Sequence, residues 1–268
     1  MLDFSAAKQR QRDAWAAGDF SRIATTTTLV GELLCESVDV RAGQDVLDVA
    51  TGSGNTALAA ARRGCQAVGI DFVPSLLERA RQRAAVERLE TTFQDGDAEH
   101  IPFADASFDV VLSTFGVMFA PDQQQAASEI LRVCRGGGKI GLANWTPESF
   151  VGQIERVAAA YRPPPTAGLR SPILWGLEPH VRELLGEKVR SVRAQKRVCL
   201  FRARSVQHWL EFNITYLGHA KRTLESLDPT MQERLLHGMT EVARHFNRSG
   251  DDTFVAASEY LEVVAIRG

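Results

Sequence analysis

Apolar residues along the first half of the chain alternate between short continuous runs and helical stripes. The run from Val46 to Ala50 breaks at a glycine-rich turn, and a helical pattern begins at Asn55. That helix closes at Gly64, and a second apolar run ends on Asp71. A strand, a helix and a second strand in this order predict a parallel pair joined by a right-handed crossover.

The alternation continues through most of the chain and indicates an α/β fold. The helix that begins at Pro74 carries arginines at 79, 81, 83 and 88, which we interpret as a solvated helix face. Later strands are expected at 91–94, 110–113, 139–145 and 189–201, with a last strand pair at 253–266.

Two helical stretches flank or interrupt this alternation. Residues 4–39 hold two helical patterns separated by Gly18, and residues 205–248 carry apolar stripes at helical spacing. The second stretch falls between the last strands, so it should lie over the sheet edge where open α/β sheets bind ligands. We expect one domain over 1–268, with an N-terminal helical lid at 1–40, a core at 41–201 and 253–268, and a helical insertion covering the substrate site at 202–250.

Composition narrows the class of partner. The chain has 268 residues with 31 Lys+Arg against 33 Asp+Glu, so it has no strong field that would favour nucleic acid or an anionic membrane. Its four cysteines lie far apart and no apolar run is long enough to span a bilayer. We expect a cytoplasmic protein with reduced cysteines, a small-molecule partner, no nucleic acid and no membrane span. The oligomeric state is left open.

The turn after the first strand is the main candidate for ligand binding. Gly52 and Gly54 bare the main chain, and the helix that follows offers unsatisfied N–H groups. Residues 52–57 fit a relaxed dinucleotide fingerprint, so a nicotinamide or flavin site is one interpretation. Asp48 favours a cationic ligand instead, because a carboxylate inside the strand would repel a pyrophosphate and attract an ammonium or sulfonium group.

This stretch resembles the first motif of the class I S-adenosylmethionine-dependent methyltransferases, matched by Asp48, Ala50, Gly52 and Gly54. Residues 101–109, Ile-Pro-Phe-Ala-Asp-Ala-Ser-Phe-Asp, resemble the branch that includes the ubiquinone and menaquinone C-methyltransferases. The resemblance implies a Rossmann-like three-layer sandwich with a seven-stranded, mostly parallel sheet, an antiparallel last strand and a helical cover. It also implies S-adenosyl-L-methionine as cofactor and a small-molecule methyl acceptor.

The resemblance gives roles to further positions. Asp71, at the tip of the second strand, would hold the ribose diol; Asp97 would accept from the adenine amino group, with Ala98 meeting the ring; and Phe72 could cover the adenine. The full set of expected cofactor residues is Asp48, Ala50, Thr51, Gly52, Gly54, Asn55, Asp71, Phe72, Asp97, Ala98, Thr114 and Phe115.

The acceptor side is less defined. Trp15, with Arg22 and Ile23, could form the lid, and the expected substrate residues are Trp15, Met118, Trp145, Trp209 and Tyr216. Methyl transfer from a sulfonium needs alignment more than a catalytic side chain, although a base helps a hydroxyl acceptor. His219 and His100 are the candidate bases, and no metal is expected because no side chains have metal-ligand spacing.

We therefore predict a methyltransferase that acts on a small molecule, at oxygen, nitrogen or carbon. Two alternatives remain from the sequence. One is a nucleotide-dependent oxidoreductase on a Rossmann sheet, and the other is a protein that binds S-adenosylmethionine without turnover.

Overall fold

The computed structural model describes residues 4–268, so the first three residues of the predicted lid lie outside the described part. One seven-stranded sheet forms the centre, in the order β3-β2-β1-β4-β5-β7-β6. Its strands are β1 (Asp45–Val49), β2 (Gln66–Asp71), β3 (Thr91–Asp95), β4 (Phe108–Thr114), β5 (Cys134–Trp145), β6 (Val189–Ala203) and β7 (Phe254–Arg267). Only β7 runs antiparallel to its neighbours, β5 and β6. The predicted fold class is confirmed.

Helices cover the sheet and the edge at which the parallel strands end. They are α1 (Ser5–Ala16), α2 (Phe20–Ala24), α3 (Thr28–Val38), α4 (Asn55–Arg62), α5 (Pro74–Glu87), α6 (Gln123–Val133), α7 (Phe150–Ala159), α8 (Glu178–Leu185), α9 (Val206–Tyr216), α10 (Gly218–Glu225) and α11 (Pro229–Phe246). Within residues 4–268, no helix is both long and apolar enough to cross a membrane.

The C-terminal strand differs from the prediction. Residues 253–266 were expected to form a strand pair, but β7 is one continuous strand. It contains no glycine or proline that would turn the chain, and it pairs along its length with β6 on one side and over residues 260–266 with β5 on the other.

The central strand is buried because helices pack on both faces of the sheet. Val46, Leu47 and Val49 are fully buried in β1, which lies between β2 and β4. Helix α3 packs against α4 and β5, and Gly141 of β5 permits this approach because an added Cβ would lie 2.5 Å from Val38 Cγ2. The four cysteines are buried and free, as predicted. This rigid centre fixes the strand ends that shape the site.

Candidate active site

The turn between β1 and α4 has an unusual backbone. Ala50, Gly52 and Gly54 have φ angles of 54°, 55° and 87°, in the left-handed region that favours glycine. Ala50 adopts this conformation at an energetic cost, which the surrounding structure must offset. The turn lies at the carboxyl edge of the sheet, and the N–H groups of Thr51 and Gly54 are bonded to the carbonyls of Ile70 and Thr51.

Two buried carboxylates hold this turn in place. Asp48 Oδ2 accepts from Thr51 Oγ1 at 2.5 Å and from the Ala57 N–H at 3.0 Å. Asp71 accepts from the Gly52 N–H and from the Val73 N–H, both at 2.9 Å. The acids at the ends of β1 and β2 thus fix both sides of the glycine turn.

Burial also changes how these acids ionise. It raises the pKa of Asp48 to about 7 and that of Asp71 to about 6, against the opposing effect of their hydrogen bonds. Repulsion from Asp71 adds to the rise at Asp48. A cation bound beside Asp48 would stabilise the ionised carboxylate, whereas an anion would destabilise it.

Arg83 is a turn-binding residue that the sequence did not reveal. Its Nη1 donates to the Ser53 carbonyl at 2.6 Å and to Asn55 Oδ1 at 2.8 Å. The prediction that Arg83 belongs to a solvated helix face is therefore wrong, because its side chain is half-buried and bonded to the glycine turn. Arg79, on the same helix, is exposed as predicted.

Two glycines near the turn serve packing. Gly54 was predicted to contact the cofactor, but it does not line the cavity, because the place of its missing side chain lies 3.0 Å from Phe93 and 3.1 Å from Ala80. Gly116 lets the end of β4 approach the turn, since an added Cβ would be 2.5 Å from the Ala50 carbonyl oxygen.

A cavity of about 210 Å³ opens at this edge of the sheet. It collects most of the predicted residues from distant parts of the chain. The predicted cofactor residues that line it are Asp48, Ala50, Thr51, Gly52, Asn55, Asp71, Phe72, Asp97, Ala98, Thr114 and Phe115, and the predicted acceptor or lid residues are Trp15, Ile23, Met118, Trp145, Trp209 and His219.

Aromatic rings line another part of the cavity, which we call its aromatic end. Phe115 stacks on Trp145 with ring centroids 3.7 Å apart, and Trp15 meets Phe119 edge-on at 5.0 Å. Phe20, the first residue of α2, was not predicted as a site residue; it lies close to Gly52 and meets Trp15 edge-on at 5.1 Å. This half of the cavity is suited to an apolar molecule.

His219 lies among these aromatic rings. Its imidazole is 4.9 Å from the Trp15 ring, centroid to centroid, and burial lowers its pKa to about 4. The ring is therefore neutral at pH 7 and can accept a hydrogen bond through one nitrogen.

Two other predicted site residues lie elsewhere. His100 does not line the cavity; its side chain is 74% exposed, so it is a poor candidate base. Tyr216 does not line the cavity either, because α9 turns its ring toward Phe212 and the Arg22 guanidinium, which lies 5.3 Å from the ring centroid. Arg22, which was predicted to form part of the lid, does not line the cavity either.

The N-terminal helix reaches the adenine side of the predicted site. Lys8 Nζ pairs with Asp97 at 2.5 Å and with Glu99 at 2.6 Å. Asp97, Glu99 and His100 each place one ligand atom within 4.8 Å of the others. Because the Lys8 ammonium already contacts both carboxylates and offsets one of their two negative charges, this cluster is poorly suited to a further cation.

Comparison with known proteins identifies the family. A model described as a methyltransferase domain matches residues 47–142. Uncharacterized protein Rv1403c of Mycobacterium tuberculosis is 43% identical over 186 residues, covering 69% of this chain and 68% of the relative. The demethylmenaquinone methyltransferase of Deinococcus radiodurans is 43% identical over 104 residues, covering 38% of this chain and 43% of that protein.

A solved structure shares the fold. The YcgJ protein of Bacillus subtilis has a TM-score of 0.60 at 21% identity, covering 88% of this chain and 96% of that chain. Nothing in these comparisons supports the oxidoreductase alternative. The strand order, the acid-braced glycine turn and the matched methyltransferase domain together establish that this chain belongs to the class I S-adenosylmethionine-dependent methyltransferases, whose cofactor is S-adenosyl-L-methionine.

Proposed function

We propose that the acceptor is a small, largely apolar molecule with a neutral nucleophile, such as a hydroxyl group, held at the aromatic end of the cavity. The observation that carries this proposal is the division of the cavity into an acidic, main-chain end and an aromatic end that contains a neutral histidine. The first end fits a cationic nucleoside, and the second fits an acceptor without charge.

The residues at the acidic end suit S-adenosylmethionine group by group. Each oxygen of Asp71 already accepts one backbone N–H and can accept one more hydrogen bond, so the two oxygens can receive the ribose hydroxyls. Asp48 uses Oδ2 for the turn, which leaves Oδ1 for the ammonium of the methionine end. Asp97 and Ala98 remain the proposed adenine contacts, with Phe72 against the ring.

Lys8 changes the adenine assignment in one respect. Its ammonium holds one Asp97 oxygen, and the Glu99 N–H donates to the other at 2.9 Å. Asp97 can still accept from an adenine amino group, because each carboxylate oxygen accepts two hydrogen bonds. In this arrangement α1 covers the bound nucleoside. If the helix moved away, the ion pair between Lys8 and Asp97 would be lost.

At the aromatic end, the side chains exclude water and supply one proton acceptor. S-adenosylmethionine brings an electrophilic methyl group on sulfur, so the protein need only align the nucleophile and remove its proton. His219 is neutral and can accept the proton of a hydroxyl as the oxygen attacks. The carboxylate of Glu155 also lines this end, but Arg162 donates to both of its oxygens, at 2.5 and 3.2 Å. The histidine is therefore the better base.

Ligand binding followed by tryptophan fluorescence tests this proposal, because Trp15, Trp145 and Trp209 all line the cavity. S-adenosylhomocysteine should quench the fluorescence at saturation, and NAD should not. Asp71→Asn should weaken S-adenosylhomocysteine binding by about 2 to 3 kcal/mol. The amide nitrogen that replaces one carboxylate oxygen can accept neither the backbone N–H nor the ribose hydroxyl, and the charge is lost.

The matched control is Asp252→Asn, at an exposed position in the loop before β7. It should leave the dissociation constant unchanged. If both substitutions weaken S-adenosylhomocysteine binding equally, Asp71 does not bind the ribose hydroxyls. Methyl transfer to any phenol or hydroquinone from radiolabelled cofactor would then exclude a protein that binds without turnover.

A further inference from the structure

A second cavity of about 40 Å³ lies between α7 and the helical insertion, next to the main cavity. It is enclosed by α7, α9, α10 and α11 and has no counterpart in the sequence-based predictions. Six residues line both cavities and so form their shared boundary: Ile154, Glu155, Trp209, Asn213, Leu217 and His219.

Three polar side chains around this side cavity, those of Glu155, Arg162 and Thr223, are already paired with one another. Arg162 Nε donates to Thr223 Oγ1 at 3.3 Å, besides its ion pair with Glu155. Thr223 Oγ1 donates to the His219 carbonyl at 2.8 Å, and Asn213 Nδ2 donates to the Trp209 carbonyl at 2.8 Å. A polar or charged ligand would have to break these bonds, whereas an apolar group would not.

The remaining surface is apolar. Leu235 and Met239 of α11 are 2% and 4% exposed and face this space, and Ala220 of α10 contributes a small side chain. The volume suffices for about three water positions, or for an alkyl group of similar size. Away from the His219 ring and the Asn213 amide on the shared wall, water would gain few hydrogen bonds there, because Glu155, Arg162 and Thr223 already have partners.

From this geometry we infer that the side cavity binds a short alkyl or alkenyl substituent of the methyl acceptor, while the nucleophilic group stays beside His219 in the main cavity. This inference rests on the proposed function, since it places the acceptor at the aromatic end. The acceptor would then have two parts: a ring or head that carries the neutral nucleophile, and an apolar branch of about three to five carbon atoms.

A series of para-alkylphenols tests the inference. Phenol and its 4-ethyl, 4-propyl, 4-butyl and 4-hexyl derivatives are titrated into the protein saturated with S-adenosylhomocysteine, with tryptophan fluorescence as the readout. Affinity should rise about fourfold per added carbon, the value expected for burying a methylene group, and level off at about four carbons. A flat series, or no phenol binding to the cofactor-loaded protein, overturns the inference.

Variants locate the effect. Ala220→Leu fills the side cavity and should abolish the gain with chain length, whereas Ala159→Leu, an exposed position on α7, should retain it. Met239→Ala enlarges the cavity and should move the plateau to longer chains. An equal gain in wild type and Ala220→Leu would show that the alkyl chain lies elsewhere.

S-adenosylhomocysteine binding is measured on each variant first. If the cofactor binds and chain length has no effect, only the side-cavity inference fails. If S-adenosylhomocysteine itself does not bind to the wild-type protein, the proposed function fails.

Discussion

Gly18 and Gly218 lie in direct backbone contact. A Cβ added to Gly18 would come within 2.6 Å of the Gly218 nitrogen, and one added to Gly218 within 2.8 Å of the Gly18 nitrogen. The first glycine follows α1 and the second begins α10, so this contact joins the N-terminal helices to the helical insertion. The N-terminal helices and the helical insertion, both of which line the cavity, are therefore in direct contact with each other.

Gly218→Ala should separate these segments. The added methyl group would clash with the α1 backbone at Ala14, so α1 must move away. We expect amide exchange in residues 5–16 to increase at least tenfold, and the dissociation constant for S-adenosylhomocysteine to rise. Gly136→Ala is the control, because its Cβ would meet only the Gly268 oxygen, at 3.5 Å. Unchanged exchange in α1 would mean that the contact does not hold the helix.

Arg83→Met should weaken cofactor binding without touching the cofactor. Loss of the charged hydrogen bonds to the Ser53 carbonyl and to Asn55 frees the glycine turn, at a cost of about 1 to 3 kcal/mol. Isothermal titration with S-adenosylhomocysteine measures this loss. Arg79→Met, on the exposed face of the same helix, should bind like wild type, and a similar loss in both variants would point to general destabilisation of α5.

The contrast between these two arginines shows where the sequence stops being informative. The glycine turn, the acids at 48 and 71 and the first five strands follow from local patterns, because apolar runs and turn residues are neighbours in the chain. Arg83 contacts a residue 30 positions away and Lys8 one 89 positions away. Such contacts depend on how helices pack, and a row of arginines looks the same whether or not one of them points inward.

The helical insertion illustrates the same limit. Its stripes predicted helices over the sheet edge, and α9, α10 and α11 do line the cavities. Helical spacing alone could not show that Tyr216 faces Arg22 while Trp209 and His219 face the cavity, because a break at Leu217 changes the direction of the chain between α9 and α10.

Asp48→Asn should stabilise the ligand-free protein at alkaline pH. The pKa of Asp48 is about 7 in the folded protein and near 3.8 when unfolded, so its contribution to stability is lost as pH rises from about 4 through 7. His219 acts in the opposite sense, because its pKa is lower in the folded protein than in the unfolded chain. Its contribution to the free energy of unfolding therefore grows as pH rises from about 4 to 6.5. The comparison must therefore be between variant and wild type at each pH.

We expect Asp48→Asn to raise the free energy of unfolding at pH 8 by about 1 to 3 kcal/mol, with little change at pH 4. The asparagine oxygen can still accept from Thr51 and Ala57, so the turn is kept. Urea denaturation across this pH range measures the difference, and Asp95→Asn is the exposed control. A difference that does not grow with pH would contradict a raised pKa at Asp48.

The same group should make cofactor binding depend on pH. A cationic ligand favours the ionised form of Asp48, so the affinity for S-adenosylmethionine should increase from pH 6 to pH 8 as the carboxyl group loses its proton. Asp48→Asn should bind more weakly at pH 8 and show a flatter profile. Calorimetry in buffers of different ionisation enthalpy should detect more proton release on binding to wild type than on binding to Asp48→Asn.

His219→Phe should separate catalysis from binding. The substitution keeps the aromatic contact with Trp15 and removes the proton acceptor, so turnover of a phenolic acceptor should fall by about 10²- to 10⁴-fold while the dissociation constant for S-adenosylhomocysteine changes little. Because burial lowers the pKa of His219 to about 4, the wild-type rate should show no loss of this base between pH 6 and 8. His100→Phe, at an exposed position outside the cavity, should turn over like wild type. If His219→Phe retains the wild-type rate, deprotonation by this residue is not part of the reaction, and alignment within the aromatic walls would account for methyl transfer.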